Sequence, residues 1–125
     1  MDAFNARDES LWRKVLHPDV RIRRPLSDAG GNLPSYYGTY YGIEEFLDVM
    51  KEIAESRGDL QVSVRSIEEG AGGMVLVELL QIFGPEDERE HQMTWVVDEI
   101  RDGMILATAT FTTEDEAREA FEQGI

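Results

Sequence analysis

The feature that most constrains the fold is a change in hydrophobic period near residue 59. Before this point, one stretch carries apolar residues at the three- and four-residue spacing of a helix. Its members are Phe46, Val49, Met50 and Ile53. Beyond it, Leu60, Val62 and Val64 alternate with polar residues, which is the two-residue period of a half-buried strand. Helices followed by a run of strands predict an α+β domain in which helices pack on one face of a curved sheet.

The second half of the chain is predicted to form four long antiparallel strands and a closing helix. The strands are predicted over residues 59–68, 74–83, 91–101 and 104–112. Asp102-Gly103 is typical of a two-residue hairpin turn between the last two strands. Thr113 and Glu116 have the spacing of a capping box, which indicates that a helix begins directly after the last strand.

The first half is predicted to contain a broken helix over residues 1–16, a short strand over 20–24 and a second helix after Gly42. Pro18 ends the first helix, because a proline disfavours the helical conformation in the residue before it. In the short strand, Val20 and Ile22 lie on one face and arginines lie on the other. Residues 25–41 are predicted to be a loop, and all four tyrosines fall within it.

The size and residue types of the chain limit what it can be. Its 125 residues, 42% of them hydrophobic, suit a single domain spanning residues 1–125 with one core. The chain has no cysteine, which excludes disulfides, thiolate catalysis and cysteine-bound zinc. Its two histidines, His17 and His91, lack the spacing of metal ligands, so no metal site is predicted.

The charge balance argues against two classes of partner. The chain has 26 acidic and 12 basic residues, for a formal net charge of -14. Nucleic acids and anionic membrane surfaces are both bound through Lys and Arg, so neither is expected as a partner. The sequence also has no run of about twenty apolar residues and no signal-peptide pattern. A cytoplasmic protein is therefore expected.

Short segments spread along the chain carry a resemblance to a known superfamily. They are Phe4 to Asp8, Leu16 to Val20, Tyr41 to Phe46, Arg101 to Ile105 and Glu114 to Gly124. Their order and spacing resemble the nuclear transport factor 2-like superfamily, in its SnoaL-like branch. This resemblance implies a cone-shaped fold, an apolar pocket between helices and sheet, and a homodimer through the outer face of the sheet. The superfamily includes isomerases, cyclases, dehydratases, hydrolases and non-catalytic proteins, so the fold alone does not identify a reaction.

The catalytic patterns of that superfamily are not reproduced in this chain. The general base of the ketosteroid isomerases would fall at Arg24-Pro25, and their second oxyanion acid would fall near Val96. The late-strand histidine and acid of the SnoaL-like cyclases would fall within residues 106–111, which contain neither. The Asp-Arg-Asp relay of the epoxide hydrolases finds counterparts only in Arg24 and Asp98.

Asp98 is the strongest candidate for a catalytic residue. The resemblance turns Thr94, Val96 and Asp98 towards the pocket. A carboxyl group in an apolar pocket has its pKa raised by loss of solvation, which suits general acid or base chemistry. In the alternative interpretation, Asp98 pairs with an arginine or lies at the rim near the Asp102-Gly103 turn.

Other residues are candidates for ligand binding. They are Arg24, Tyr36, Tyr40, Tyr41, Trp12, Val96 and Thr110. The planar guanidinium of Arg24 suits an anion or a carbonyl group, although surface salt bridges are the alternative. The tyrosines would donate hydroxyl hydrogen bonds to a ligand, or else fill the edge of the core or a dimer contact. Trp12 has the spacing of a core residue.

The sequence leaves two kinds of function open. The first is a cofactor-free isomerase, cyclase or dehydratase acting on an apolar small molecule. The second is a non-catalytic protein of the same fold that binds a small ligand or acts as a scaffold dimer. An open pocket with a perturbed carboxyl group would favour the enzyme.

Overall fold

A computed structural model describes residues 9–24, 38–57, 61–84 and 87–124 of the chain. Its helices are α1 (Glu9–Val15), α2 (Ile43–Arg57) and α3 (Glu114–Gln123). Its strands are β1 (Leu16–Arg24), β2 (Gly38–Tyr41), β3 (Gln61–Glu69), β4 (Met74–Phe83), β5 (Glu90–Arg101) and β6 (Met104–Phe111). None of these helices has the length and apolar character that crossing a membrane requires.

The six strands form one curved sheet in the order β2-β1-β6-β5-β4-β3. This arrangement confirms the predicted α+β class. The sheet is mixed, because β6 lies between β5, to which it is antiparallel, and β1, to which it is parallel. The four long strands predicted to be antiparallel are indeed paired in that way. The parallel pair joins the two halves of the chain.

Two boundaries in the first half differ from the prediction. The last four residues of the predicted loop form β2, in which Tyr40 lies opposite Ile22 and Tyr41 lies opposite Arg21. Strand β1 begins at Leu16 rather than at residue 20, because Leu16 already lies opposite Ile105. The register shifts between Leu16 and Arg21, a stretch that contains Pro18. A proline has no N–H group to donate, so irregular pairing is expected there.

The first two helices cover one face of the sheet, which is called the inner face below. One cluster of buried side chains on this face joins β1 to α2, and it consists of Leu16, Val20, Ile22, Phe46 and Leu47. A second cluster joins α2 to β3 and β4 through Val49, Val62 and Leu79. Trp12 of α1 packs against both clusters, and its ring centroid lies 5.0 Å from that of Phe46. The helices and the sheet are thus held together through apolar contacts on this face.

The closing helix α3 packs on the opposite, outer face. Its Ala117 and Ala120 are buried in a cluster with Met74, Leu76, Val97, Ala109 and Phe111 of the sheet. The expectation that the helices share one face is therefore wrong for α3. Strand β4 is apolar on both faces, so each face of the sheet needs its own cover.

The predicted capping box at the start of α3 is confirmed. The Thr113 hydroxyl oxygen accepts from the backbone N–H of Glu116 at 3.4 Å and donates to the Glu116 carboxylate at 2.8 Å. Arg118 then pairs with Glu114 at 2.9 Å and with Glu68 of β3 at 3.3 Å. These contacts fix where α3 begins and attach it to the edge of the sheet.

The outer face also carries residues that α3 does not bury in its cluster. Leu80 and Ile82 of β4 lie opposite Met93 and His91 of β5, and Glu78 lies opposite Trp95. Glu78 is therefore on the outer face rather than on the inner one. The homodimer expected through this face stays a prediction.

Two turns rely on positive backbone angles. Asp102 and Gly103 have φ values of 55 and 77 degrees, as the predicted hairpin turn requires. Between β3 and β4, Gly72 and Gly73 have φ values of 69 and 79 degrees. A Cβ atom on Gly73 would lie 2.3 Å from the carbonyl oxygen of Ile100, whereas a Cβ atom on Gly72 would meet nothing within 4 Å.

These neighbouring glycines allow backbone strain to be separated from steric overlap. Gly72→Ala should lower the free energy of unfolding by about 1 kcal/mol, because its only cost is the left-handed conformation. Gly73→Ala should lower it by at least about 2 kcal/mol more, because the end of β5 has to move. Urea denaturation of both variants measures this difference. Equal losses would contradict the close approach of Gly73 to Ile100.

Candidate active site

Strand pairing places Asp98 on the inner face of the sheet. Asp98 lies opposite Val75 of β4 and opposite Thr108 of β6. Side chains two positions apart on a strand share a face, so Asp98 and Val96 point in the same direction. Val96 packs against the inner cluster that contains Val49 of α2. The carboxyl group of Asp98 therefore lies on the side of the sheet that α1 and α2 cover.

The Asp98 carboxyl group is buried with one of its oxygens unpaired. The Thr108 hydroxyl hydrogen-bonds to the carboxyl group, while Oδ1 is buried and has no hydrogen-bond partner. Burial raises the pKa of Asp98 from its ordinary value of 3.8 to about 6, and the bond to Thr108 only partly opposes this rise. Among the side chains that the structure describes, no arginine contributes to the shift.

This carboxyl group has the properties that a general base or acid needs. With a pKa of about 6, Asp98 is largely ionised near neutral pH, yet it holds a proton more tightly than an exposed aspartate does. Its Oδ1 offers a hydrogen-bond acceptor that the protein itself leaves unused. Thr108 holds the group in one orientation through their hydrogen bond. The arrangement can accept a proton from a bound molecule and return it.

Several of the predicted ligand-binding residues lie on the same face as Asp98. Val96 lies opposite Thr110, which is buried, across β5 and β6. Tyr40 is half-buried and packs against both inner clusters. Trp12 is also half-buried there, in contact with Phe46. Its place between the two clusters makes Trp12 part of the packing between α1, α2 and the sheet.

Other predicted residues are not brought to this site. Tyr41 is 64% exposed and lies opposite Arg21, next to the inner-facing pair of Tyr40 and Ile22. Because successive side chains alternate between faces, Tyr41 belongs to the outer side of the sheet. Arg24 ends β1, and its side chain is outside the described residues, as is the whole of Tyr36. No role in the site is assigned to these three residues.

The structure adds polar residues that sequence reasoning missed. Thr108 is the partner of Asp98, and Gln81 lies further along the inner face, where it binds Thr94, a residue already expected to face the pocket. Thr108 lies two positions before the predicted residue Thr110 on the same strand, which is the signal that could have found it. It was passed over because it does not ionise. Among the described residues, no three histidine, aspartate or glutamate side chains come together as metal ligands.

Tyr40, Ile22, Thr108 and Asp98 form one row across four neighbouring strands. Each is the register partner of the next, from β2 through β1 and β6 to β5. With strands about 4.8 Å apart, the row spans about 14 Å between its terminal Cα atoms. Tyr40 and Asp98 therefore lie at the two ends of one row on the inner face.

Comparison with known proteins identifies sequences and structures of the same kind. A sequence model of the SnoaL-like domain family matches residues 1–108 of the chain. Among proteins with curated descriptions, none has a sequence that matches.

Solved structures are similar over most of the chain. TerC, co-crystallised with polyporic acid, is 18% identical with a TM-score of 0.75, and the match covers 98% of this chain and 92% of TerC. IdmH from Streptomyces antibioticus, a candidate polyketide cyclase, is 18% identical with a TM-score of 0.71, covering 97% and 91%. A candidate ketosteroid isomerase from Kribbella flavida is 23% identical with a TM-score of 0.67, covering 90% and 71%. At these identities the matches establish the fold.

The burial of Asp98 predicts a particular dependence of stability on pH. Because the pKa of Asp98 is raised from 3.8 to about 6 on folding, its protonated form contributes stability that is lost as pH rises through this range. Asp98→Asn removes the loss, since the amide does not ionise. Above about pH 7 the variant should exceed the wild type in free energy of unfolding by up to about 3 kcal/mol, and the difference should vanish near pH 4.

Denaturant unfolding at several pH values measures this difference. Asp48→Asn is the matched control, because Asp48 is exposed on α2 and the chemical change is the same. The control should follow the wild type at every pH. A difference between Asp98→Asn and the wild type that does not change with pH would contradict the burial of an ionisable Asp98.

Proposed function

The chain belongs to the SnoaL-like domain family, and from this membership and the buried carboxyl group of Asp98 we propose a catalytic function. The protein moves a proton within an apolar organic molecule that carries a carbonyl group, and it does so without a cofactor. The reaction class is isomerisation, cyclisation or dehydration. Asp98 is the general base, and the inner face of the sheet binds the substrate.

The single observation that carries this proposal is the unpaired Oδ1 of Asp98. A buried carboxylate oxygen without a partner lowers stability, because it has lost its water and gained nothing in return. An apolar residue would avoid this cost. Perturbed and incompletely paired carboxyl groups are concentrated at functional sites, where activity outweighs stability.

The chemistry follows from where the proton goes. Oδ1 accepts a proton from the carbon next to the substrate carbonyl, and the electron pair of the broken C–H bond moves into an enolate. Returning the proton to another carbon completes an isomerisation. In a cyclisation, the enolate carbon attacks a second carbonyl group to form a C–C bond, and the alkoxide that results takes the proton from Asp98. Loss of a β-hydroxyl group, which takes the proton from Asp98 and leaves as water, completes a dehydration.

Thr108 and Tyr40 have supporting roles in this proposal. Thr108 keeps the carboxyl group oriented through its hydrogen bond. Tyr40, at the far end of the row that contains Asp98, is the hydroxyl donor expected to bind the substrate oxygen. The neighbouring structures suit this substrate class, since they include a complex with polyporic acid and a candidate polyketide cyclase.

A second candidate function is a non-catalytic protein that binds a similar molecule. The observation that favours it is the residue content of β6, where Thr108 and Thr110 face inward and the strand itself contains no histidine or acid. Binding would use the same inner face and the same Oδ1 acceptor. Only turnover separates the two functions.

Proton transfer can be tested without knowing the natural substrate. The ketone 2-tetralone is incubated with the protein in D₂O, and deuterium incorporation next to its carbonyl is followed by NMR. Asp98→Asn should slow the protein-dependent exchange by about 10²- to 10⁴-fold, while Asp48→Asn should leave it unchanged. Because the ionised form of the base reacts, the wild-type rate should fall about tenfold per pH unit below the pKa of about 6.

The outcomes distinguish the two candidates. Exchange that is equally fast in the Asp98→Asn variant would rule out the proposed base. If 2-tetralone binds in a way that depends on Asp98 but exchanges deuterium no faster than in buffer, the result contradicts the catalytic function. It then supports the ligand-binding function.

A further inference from the structure

A second buried polar group lies on the inner face, away from Asp98. Gln81 of β4 is 8% exposed, and its side-chain N–H donates to the Thr94 hydroxyl oxygen at 3.2 Å. Thr94 itself is 3% exposed. The other polar atom of the Gln81 amide, Oε1, is buried and has no hydrogen-bond partner. Gln81 therefore resembles Asp98 in having one buried hydrogen-bond acceptor without a partner in the protein.

The position of Gln81 is fixed by the same strand pairing that fixes Asp98. Gln81 lies between Val62 of β3 and Gln92 of β5, which are its register partners. It shares a face with Leu79, a member of the inner cluster under α2. The hydrogen bond to Thr94 holds the amide against β5. The unpaired Oε1 is thus held on the inner face rather than at the edge of the sheet.

The two unpaired acceptors are separated by an apolar stretch. Thr94, which anchors the Gln81 amide, and Asp98 are four residues apart on β5, or about 13 Å along the strand. Between them on the inner face lie Val96 and its register partner Val77. Both valines pack against the inner cluster. The inner face therefore offers an acceptor at each end and a hydrocarbon surface in the middle.

We propose that Gln81, held by Thr94, is a second ligand anchor that selects molecules with a hydroxyl group at the end remote from the group that meets Asp98. The ligand class is a rigid, largely apolar molecule with a hydroxyl group at one end and, at the other, the enolisable carbonyl group on which Asp98 acts, for which a phenol is a stable mimic of the enol. A hydroxyl group donates to Oε1 and satisfies it. This inference rests on the proposed function, because that function is what assigns one end of the ligand to Asp98.

Two fluorescent phenols test the inference. In 4,4′-dihydroxystilbene, two hydroxyl groups stand at the ends of a rigid hydrocarbon, and 4-hydroxystilbene lacks one of them. The single hydroxyl of the second compound should meet Asp98, because a hydrogen bond to a charged acceptor is the stronger one. The wild type should bind the diphenol about tenfold more tightly than the monophenol, which is the effect of one added buried hydrogen bond.

The variant Gln81→Met separates the two anchors. It keeps an unbranched side chain of similar length and removes both polar atoms, so the preference for the diphenol should disappear while monophenol affinity stays the same. Gln61→Met is the matched control, since Gln61 is exposed on β3. This control should keep the wild-type preference. Asp98→Asn should weaken the binding of both phenols.

Each outcome decides either the inference or the proposed function. Equal affinity of the wild type for the two phenols overturns the inference, as does a preference that survives in Gln81→Met. Failure of both phenols to bind at their solubility limit also overturns it, because a surface with two unfilled acceptors should accept the diphenol. A preference that depends on Gln81 while Asp98→Asn changes nothing supports the Gln81 anchor and overturns the proposed role of Asp98.

Thermal unfolding without ligand provides an independent readout. If the unpaired Oε1 is kept for binding, the double variant Gln81→Met with Thr94→Val should leave the melting temperature unchanged or raise it, because it removes the unsatisfied group together with the hydroxyl that Gln81 binds. A melting temperature lowered by several degrees would show that Gln81 serves the fold, and it would overturn the inference.

Discussion

The inner face depends on one constraint, which is the register in which β5 pairs with β4 and β6. A shift of one residue would turn Asp98 to the outer face and bring Val97 inward, since the side chains of a strand alternate. Two local features fix that register at the same end of the sheet. The Asp102-Gly103 turn joins β5 directly to β6, and Gly73 lets the β3–β4 connection approach the carbonyl of Ile100. The site is therefore positioned mainly by backbone geometry.

With the register fixed, burial determines the chemistry of the face. Asp98 and Gln81 each make one side-chain hydrogen bond to a threonine, and one acceptor of each side chain stays unsatisfied. In contact with water such groups would not change the free energy of unfolding, but each one that is buried without a partner lowers it. Two such groups lie on one face with valines between them, and the ligand proposed here would satisfy both. The same burial raises the pKa of Asp98 into the range useful for proton transfer.

Much of the fold could be predicted from sequence because its signals are local. The resemblance to the superfamily turned Asp98 towards the inner side, and the spacing of Thr113 and Glu116 located the start of α3. Non-local features could not be obtained in this way. Strand β2 has four residues and is held by backbone pairing to β1, and the parallel pairing of β1 with β6 joins opposite ends of the chain. Thr108 and Gln81 carry no sequence signature of a site, because their importance comes from what lies next to them.

The central claim is that the Asp98 carboxyl group is buried and titrates well above an ordinary aspartate. Its pKa can be measured directly from the ¹³Cγ chemical shift of Asp98 in the folded wild-type protein as a function of pH, with the signal assigned by its absence from the Asp98→Asn spectrum. The account predicts a midpoint at about pH 6, against the ordinary value of 3.8. A midpoint at or below 3.8 would contradict it, because it would mean that Asp98 is solvated or paired with a cation and is not the buried base proposed for this face.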